Sequence, residues 1–268
     1  MSTDYSDTVQ RFSGFAADYD AYRPTPPPVI ADILCAFAQA ARPGLVVDIG
    51  CGTGLSTRLW SGRAARVVGI DPSPDMLAQA CAATTNPAIS YCAGTSGATG
   101  LAGGQADIVT CSQSLHWMEP AETFAEAARL LRPGGVFAAY DCDWPASVGS
   151  WRVMAAEAEL AAAATRVHNE RGFAPGLKRW DKSGHLARMR ECGRFRYVTE
   201  QVFHSVERGN AKRFVRLLLT QGVIQTLLKH GLSEDEIGVT AFRALAEAEL
   251  GSALRDWYFS YRMRIGVV

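Results

Sequence analysis

No apolar run in this chain approaches the ~18 residues that a membrane-spanning helix requires, so no membrane partner is expected. Nor is there a basic start followed by an apolar stretch of the kind that directs export. Met1-Ser2-Thr3-Asp4-Tyr5 is polar and acidic, which predicts a cytoplasmic protein. The seven cysteines (35, 51, 81, 92, 111, 142 and 192) include no close pair at zinc-knuckle or redox spacing. They read as buried free thiols, with Cys92 and Cys111 in or beside apolar strand-like runs. His168, His185, His204 and His230 show no ligand spacing either, and no metal is predicted. Internal repeats and disordered linkers are absent, and the sole biased tract is an alanine-rich stretch after Trp151.

Net charge is zero, 27 basic against 27 acidic residues, but it is unevenly spread. Residues 1–150 carry 8 Lys+Arg against 14 Asp+Glu, and residues 151–268 carry 19 against 13. Much of the basic excess lies between Arg166 and Arg216 and includes Lys178, Arg179, Lys182, Arg188, Arg190, Arg194 and Arg196. That stretch reads either as a solvated helix face or as an attractor for an anionic substrate or nucleic acid. At 268 residues and 48% apolar content, the chain suits one elaborated domain better than two independent cores.

Between Leu45 and Asp143 short apolar strands alternate with helical stretches, the pattern of a parallel sheet covered on both faces. Strands are expected at Leu45–Ile49, Arg66–Ile70, Ile89–Cys92, Asp107–Cys111 and Val136–Asp141. Helices are expected from Gly54 or Leu55, from Pro74 to Ala83, and from Pro120 to Leu131, where Pro133-Gly134-Gly135 stops the last. Ahead of the core, Tyr5 to Tyr22 reads as one helix, and the proline run from Pro24 to Pro28 separates it from a second reaching Ala41. Beyond the core, Trp151–His168 and Ser183–Cys192 read as helices and Phe195–Val206 as a sixth strand. Two or three helices follow, Ser233-Glu234-Asp235-Glu236 offering an N-cap and acidic first turn to the last. The seventh strand is marked by Trp257, Phe259, Tyr261, Met263 and Ile265 alternating with more polar neighbours.

The strongest signal is Leu45-Val46-Val47-Asp48-Ile49-Gly50-Cys51-Gly52-Thr53-Gly54, a buried strand ending in an acid and three glycines at alternate positions. Glycines there let backbone approach a ligand closely. The next strand ends in Gly69-Ile70-Asp71, which places a carboxylate seventeen residues beyond Gly54, where it can accept hydrogen bonds from both hydroxyls of a ribose. A dinucleotide site needs Gly-x-Gly-x-x-Gly, but position 55 is Leu, which weakens a nicotinamide-dependent oxidoreductase as the alternative. Asp48 immediately before the glycines suits a cationic ligand better than a phosphate.

With Asp48 to Gly54, Asp71, and Leu131-Arg132-Pro133-Gly134-Gly135 in place, the chain resembles the class I S-adenosylmethionine-dependent methyltransferases over roughly residues 12–140. Within them it is similar to trans-aconitate methyltransferase-like enzymes, through Tyr19-Asp20-Ala21-Tyr22-Arg23-Pro24 and Gln113-Ser114-Leu115-His116-Trp117. The resemblance implies a Rossmann-like α/β fold: a seven-stranded, mostly parallel sheet with the last strand antiparallel, helices on both faces and helical insertions forming a cap. It implies a single domain over 1–268, with a helical lid at 1–42, a cofactor-binding core at 43–143 and cap insertions at 144–193 and 208–252. S-adenosylmethionine would be the cofactor. Gly50, Gly52 and Gly54 would line its methionyl part, with Asp48 holding the network near the ammonium. Asp71 would bind the ribose, and Pro72 and Met76 would pack on the adenine, with Thr95 and Ser96 at its edge. Ser112 and Gln113 would face the methionyl chain, while Arg23 would pair with the carboxylate and Tyr19 and Tyr22 would belong to a lid that closes over the donor. Many relatives place an acid in the turn after the third strand, whereas Gly94-Thr95-Ser96-Gly97 has none.

Methyl transfer is an in-line displacement that needs alignment and, for some acceptors, removal of a proton. His116, after the fourth strand at the expected mouth of the site, is the candidate base; the alternative is that it packs with Trp117 at the start of the next helix. Tyr22, Trp117, Tyr140 and Trp144 are candidates for the acceptor pocket, although aromatics at strand ends are as often core. The expected acceptor is a small molecule and the expected state a monomer or homodimer. A tRNA-directed enzyme is an alternative without a recognisable RNA-binding module, and a protein that keeps S-adenosylmethionine without transferring its methyl is another.

Overall fold

The computed structural model describes residues 6–268. Tyr5, at the expected start of the first helix, lies outside the described residues. Seven strands form one sheet: β1 Leu45–Ile49, β2 Arg66–Asp71, β3 Ile89–Ala93, β4 Ala106–Ser112, β5 Leu131–Cys142, β6 Tyr197–Gly209 and β7 Arg255–Val267. Their order is β3-β2-β1-β4-β5-β7-β6. Strands β1 to β5 are parallel, and β7 runs antiparallel between β5 and β6. The chain reverses its winding direction between β1 and β4, where open α/β sheets gather ligands beyond the carboxyl ends of their strands.

The central strands are apolar at consecutive positions because both faces of the sheet are covered. Alternate residues enter opposite cores: Val46, Ile108, Val136 and Ala138 on one face, Val47, Val109, Phe137 and Ala139 on the other. In β7 Trp257, Phe259, Met263 and Ile265 are fully buried, as their alternation predicts. Cys111 is buried, but Cys92, expected inside, is exposed because β3 is the edge strand.

Among the described residues three helices precede the sheet, α1 Ser6–Phe12, α2 Ala16–Tyr22 and α3 Val29–Phe37. The single helix expected up to Tyr22 is thus broken at Ser13-Gly14-Phe15, where glycine costs a helix interior about 1 kcal/mol. Helix α4 Leu55–Arg58 follows β1, α5 Pro74–Ala82 follows β2, and α6 Pro120–Leu130 follows β4. The segment after β5 divides. α7 Trp151–Glu170 joins α9 Ala211–Leu219, α10 Gly222–Lys229, α11 Glu234–Ile237 and α12 Val239–Leu250 over one face. α8 His185–Glu191 instead packs on β6 and β7 and buries Met189 in the other core, so it is no part of the cap. Ser233 forms a capping box with Glu236, but on the one-turn α11; the last helix begins beyond Gly238. α1 rests on α10, and α2 touches both α5 and α9, so the N-terminal helices bridge core and cap above the strand ends. Among the described residues no helix is long and apolar enough to cross a membrane.

Candidate functional site

The turn after β1 is fastened before any ligand arrives. The Gly50 and Cys51 N–H groups donate to the Ile70 carbonyl at 2.7 and 3.0 Å, and the Ser114 hydroxyl donates to the Ile49 carbonyl at 3.0 Å. Beneath the turn Asp48 is fully buried and accepts from the Thr57 and Thr110 hydroxyls, both at 2.8 Å. Burial pushes its carboxyl up to about 6, with the hydroxyls pulling the other way. Asp48 does not line the cleft; it ties β1, β4 and α4 together from below. Gly54 is likewise outside the cleft lining and stands at the N-terminus of α4, where a Cβ would collide with the Tyr91 hydroxyl.

Gly50 and Gly52 line the cleft, both with left-handed backbone, φ +69° and +53°. A Cβ on Gly50 would run into Met118 and lie 2.7 Å from Ser114 Cβ, whereas around the Cβ position of Gly52 no atom lies within 4 Å. Gly52 therefore opens a cradle that a side chain would fill. Across from it, Asp71 takes the Gly52 N–H on Oδ2 and the Ser73 N–H on Oδ1, both at 2.9 Å. A carboxylate has about four acceptor positions, so two remain for a diol. Burial raises the Asp71 pKa, and the two N–H groups restrain the rise. Pro72 and Met76 continue the wall, and Thr95 and Ser96 close the far end. The acid nearest this last turn is Glu122 of α6, with Oε2 3.1 Å from where a Cβ on Gly97 would sit; it is not in the cleft lining. Ser112 and Gln113 border the near end, and Gln113 Oε1 accepts from Lys182 Nζ at 3.0 Å.

Helices α1 and α2 roof this cleft. Phe12, Phe15 and Tyr19 form an aromatic cluster to which Trp117 adds its ring, 5.7 Å from Phe12. Tyr19 and Arg23, four residues apart, face the cleft together. Arg23 does not stand free: Nε and Nη2 donate to the Thr220 hydroxyl and carbonyl at 2.9 and 2.8 Å, and the guanidinium lies over Tyr19 and Trp144. Tyr22 lines no part of the cleft, because it sits off that face and meets Arg216 of α9.

A second chamber opens beside the first and shares Phe12, Tyr19, Arg23, Gln113, Trp117 and Trp144 with it. Its other walls come from α1, α7, α10 and the segment ahead of α8, including Arg11, Glu157, Arg179, Lys182 and Gln221. His116 lines this chamber and is 5% exposed. Its Nδ1 lies 3.6 Å from Asp141 Oδ1, but burial, then Lys182 and Arg179, hold the imidazole pKa well below its usual range. The approach to Asp141 is therefore not an ion pair near neutral pH. Asp141 is instead paired with Lys182 at 2.8 Å and Arg264 at 2.9 Å. Tyr140 does not line either chamber. It is fully buried, its hydroxyl bonded to Ser56, because in β5 it shares the inward parity of Val136 and Ala138.

Sequence reasoning thus placed Tyr19, Arg23, Gly50, Gly52, Asp71, Pro72, Met76, Thr95, Ser96, Ser112 and Gln113 where the structure gathers them, and Trp117, Trp144 and His116 at the adjoining chamber. It missed Phe12, Ser73 and Met118 in the first chamber and Arg11 and Glu157 in the second. Among the described residues no three His, Cys, Asp or Glu side chains gather as a metal ion would need.

Residues 47–139 match the sequence family of the methyltransferase domain. An uncharacterized methyltransferase of Mycobacterium bovis is 38% identical over 136 residues, 50% of this chain and 53% of that protein. The malonyl-[acyl-carrier protein] O-methyltransferase of Hahella chejuensis is 33% identical over 137 residues, 50% of this chain and 49% of that protein. The chain spans about half the length of the curated relatives it matches. Among solved structures, one described as a type II methyltransferase of Anaeromyxobacter dehalogenans superposes with a TM-score of 0.63 at 22% identity, covering 92% of this chain and 98% of that one. The phosphoethanolamine N-methyltransferase 2 of Haemonchus contortus gives 0.53 at 15% identity, over 99% and 58%. Residues 47–139 thus carry the sequence of the methyltransferase domain family, and the chain shares its fold with solved methyltransferases.

Proposed function

We propose that the protein is a cytoplasmic enzyme that transfers a methyl group from S-adenosylmethionine to a small-molecule acceptor held in the second chamber. One observation carries this reading: Gly52 and Asp71, joined by a 2.9 Å hydrogen bond, face a common cleft that opens into a separate chamber walled by α1, α7 and α10. The cradle at Gly52 and the two remaining acceptor positions on Asp71 fit an adenosyl ligand, with Pro72 and Met76 against the base. S-adenosylmethionine, when bound, supplies a methyl group activated by its sulfonium. The chain has three tasks.

The first is alignment. Gly50 and Gly52 fix the depth at which a ligand sits, and Asp71 fixes its sugar. The second is exclusion of water. Phe12, Tyr19, Trp117 and Trp144 supply the aromatic part of the junction of the chambers, beside Arg23 and Gln113, and shielding that junction from water strengthens the polar contacts made there. The third is the acceptor's proton. His116, neutral near pH 7 because it is buried among cations, can accept one on Nε2 while Asp141 faces Nδ1. Chamber walls built from helices argue for a small acceptor over a structured RNA. Incubation with labelled methyl donor and a fractionated metabolite extract tests the proposal: transfer to a low-molecular-weight fraction is expected, and transfer to tRNA alone, or binding without turnover, contradicts it.

A further inference from the structure

The basic stretch noted in the sequence divides in the structure, and part of it turns inward. Arg179 and Lys182 line the second chamber together with Arg11 and Arg23 of the N-terminal segment. Lys182 is neutralised by Asp141 at 2.8 Å. Arg11, Arg23 and Arg179 have no carboxylate partner among the described residues. The guanidinium carbons of Arg11 and Arg179 lie 5.3 and 5.6 Å from the centre of the same Trp117 ring. Arg11 Nε and Nη1 are buried and make no hydrogen bond among the described residues. Among the described residues the chamber's one carboxyl, Glu157, is engaged by Gln221 Nε2 at 2.5 Å.

Two like charges converging in a partly desolvated wall without a counter-ion are costly. The strain is legible at Arg11, whose pKa burial and Arg179 together lower to about 10. A fold that merely needed to cover apolar surface would not direct guanidinium groups here, since their planar forks match oxyanions.

We infer that the second chamber takes an acceptor bearing an oxyanion, a carboxylate or a phosphate, held by Arg11 and Arg179 beside Trp117. This rests on the second chamber being the acceptor's. Arg11 and Arg179 line that chamber only, whereas Phe12, Tyr19, Arg23, Gln113, Trp117 and Trp144 border both. The oxyanion is thus a handle set back from the junction, and the group to be methylated is a different part of the same molecule.

The test is calorimetry on protein saturated with S-adenosylhomocysteine, titrated with benzoate, phenyl phosphate and neutral benzamide. At least one anion should bind ten-fold or more tightly than benzamide, and the tighter of the two identifies the headgroup. Its affinity should fall at least ten-fold in the Arg11→Gln/Arg179→Gln double variant, while S-adenosylhomocysteine affinity stays within two-fold. Should that variant not fold, the parent protein still decides: raising salt from 50 to 500 mM should weaken the anion and leave benzamide unchanged. Equal affinity for benzamide, anion binding that salt and the double variant leave intact, or no binding of either anion overturns the inference. Failure of S-adenosylhomocysteine itself to bind would instead strike the methyltransferase reading.

Discussion

Gly50 and Gly52 have the same backbone hand but opposite surroundings, which separates stability from binding. In Gly50→Ala the new methyl would run into Met118 and crowd Ser114 Cβ at 2.7 Å. A left-handed L-residue costs about 1–2 kcal/mol, and displaced neighbours add ~1–3 kcal/mol. The expected loss is about 2–5 kcal/mol, or ~4–20 °C in melting temperature at ~2–4 °C per kcal/mol for a chain of this size. In Gly52→Ala only the backbone term applies, because no atom lies within 4 Å of the new methyl. The loss there is about 1–2 kcal/mol, ~2–8 °C. That methyl occupies the cleft beside Asp71, so S-adenosylhomocysteine affinity should drop at least ~ten-fold, about 1.4 kcal/mol. Scanning calorimetry reads the first quantity and titration calorimetry the second. Parental affinity in Gly52→Ala, or a Gly50→Ala protein that melts no lower than Gly52→Ala, would refute the cradle.

Asp71→Asn should weaken S-adenosylhomocysteine by ~1.5–3 kcal/mol, the scale of hydrogen bonds to a charged group; unchanged affinity in titration calorimetry would remove the ribose contact. Asp48 gives a pH signature. Its folded pKa of about 6 exceeds the unfolded value of 3.8, so the native state holds the extra proton between the two and stability falls as pH rises through that window. Relative to Asp48→Asn, the parent should lose up to about 3 kcal/mol between pH 4 and 6, followed by denaturant unfolding at each pH; parallel profiles would contradict the burial argument. For His116→Gln, label transfer to the acceptor fraction should slow by ~10²-fold or more with donor affinity within two-fold. In the parent the rate should hold down to pH 6.5 and decline only below it, since the folded imidazole titrates well under its usual value; a base limb centred near 6.5 would exclude His116.

The sheet was legible because its strands are nearly continuous apolar runs punctuated by glycine and acid, and because ligand sites in such sheets sit at strand ends. Asp71 follows from that rule alone. Tyr140 was misplaced because a residue near a strand end can face the cleft or the core, and only the parity with Val136 and Ala138, both covered by helices, decides it. Tyr22 failed for the helical counterpart of this reason: Tyr19 and Arg23 share a face and Tyr22 does not. Asp48 was read as holding the network near the ammonium through its place in the motif, while the partners it holds, Thr57 and Thr110, belong to α4 and β4, which the motif does not contain. The second chamber was invisible. Arg11, Glu157, Arg179 and Gln221 come from four distant segments, and no local pattern announces that their side chains converge.

Titration calorimetry of the folded protein with S-adenosylhomocysteine, and separately with NADH, bears most directly on the shared cleft of Gly52 and Asp71. One equivalent of S-adenosylhomocysteine should bind with measurable heat, and NADH should give none. Silence with S-adenosylhomocysteine, or saturable heat with NADH alone, would contradict the account.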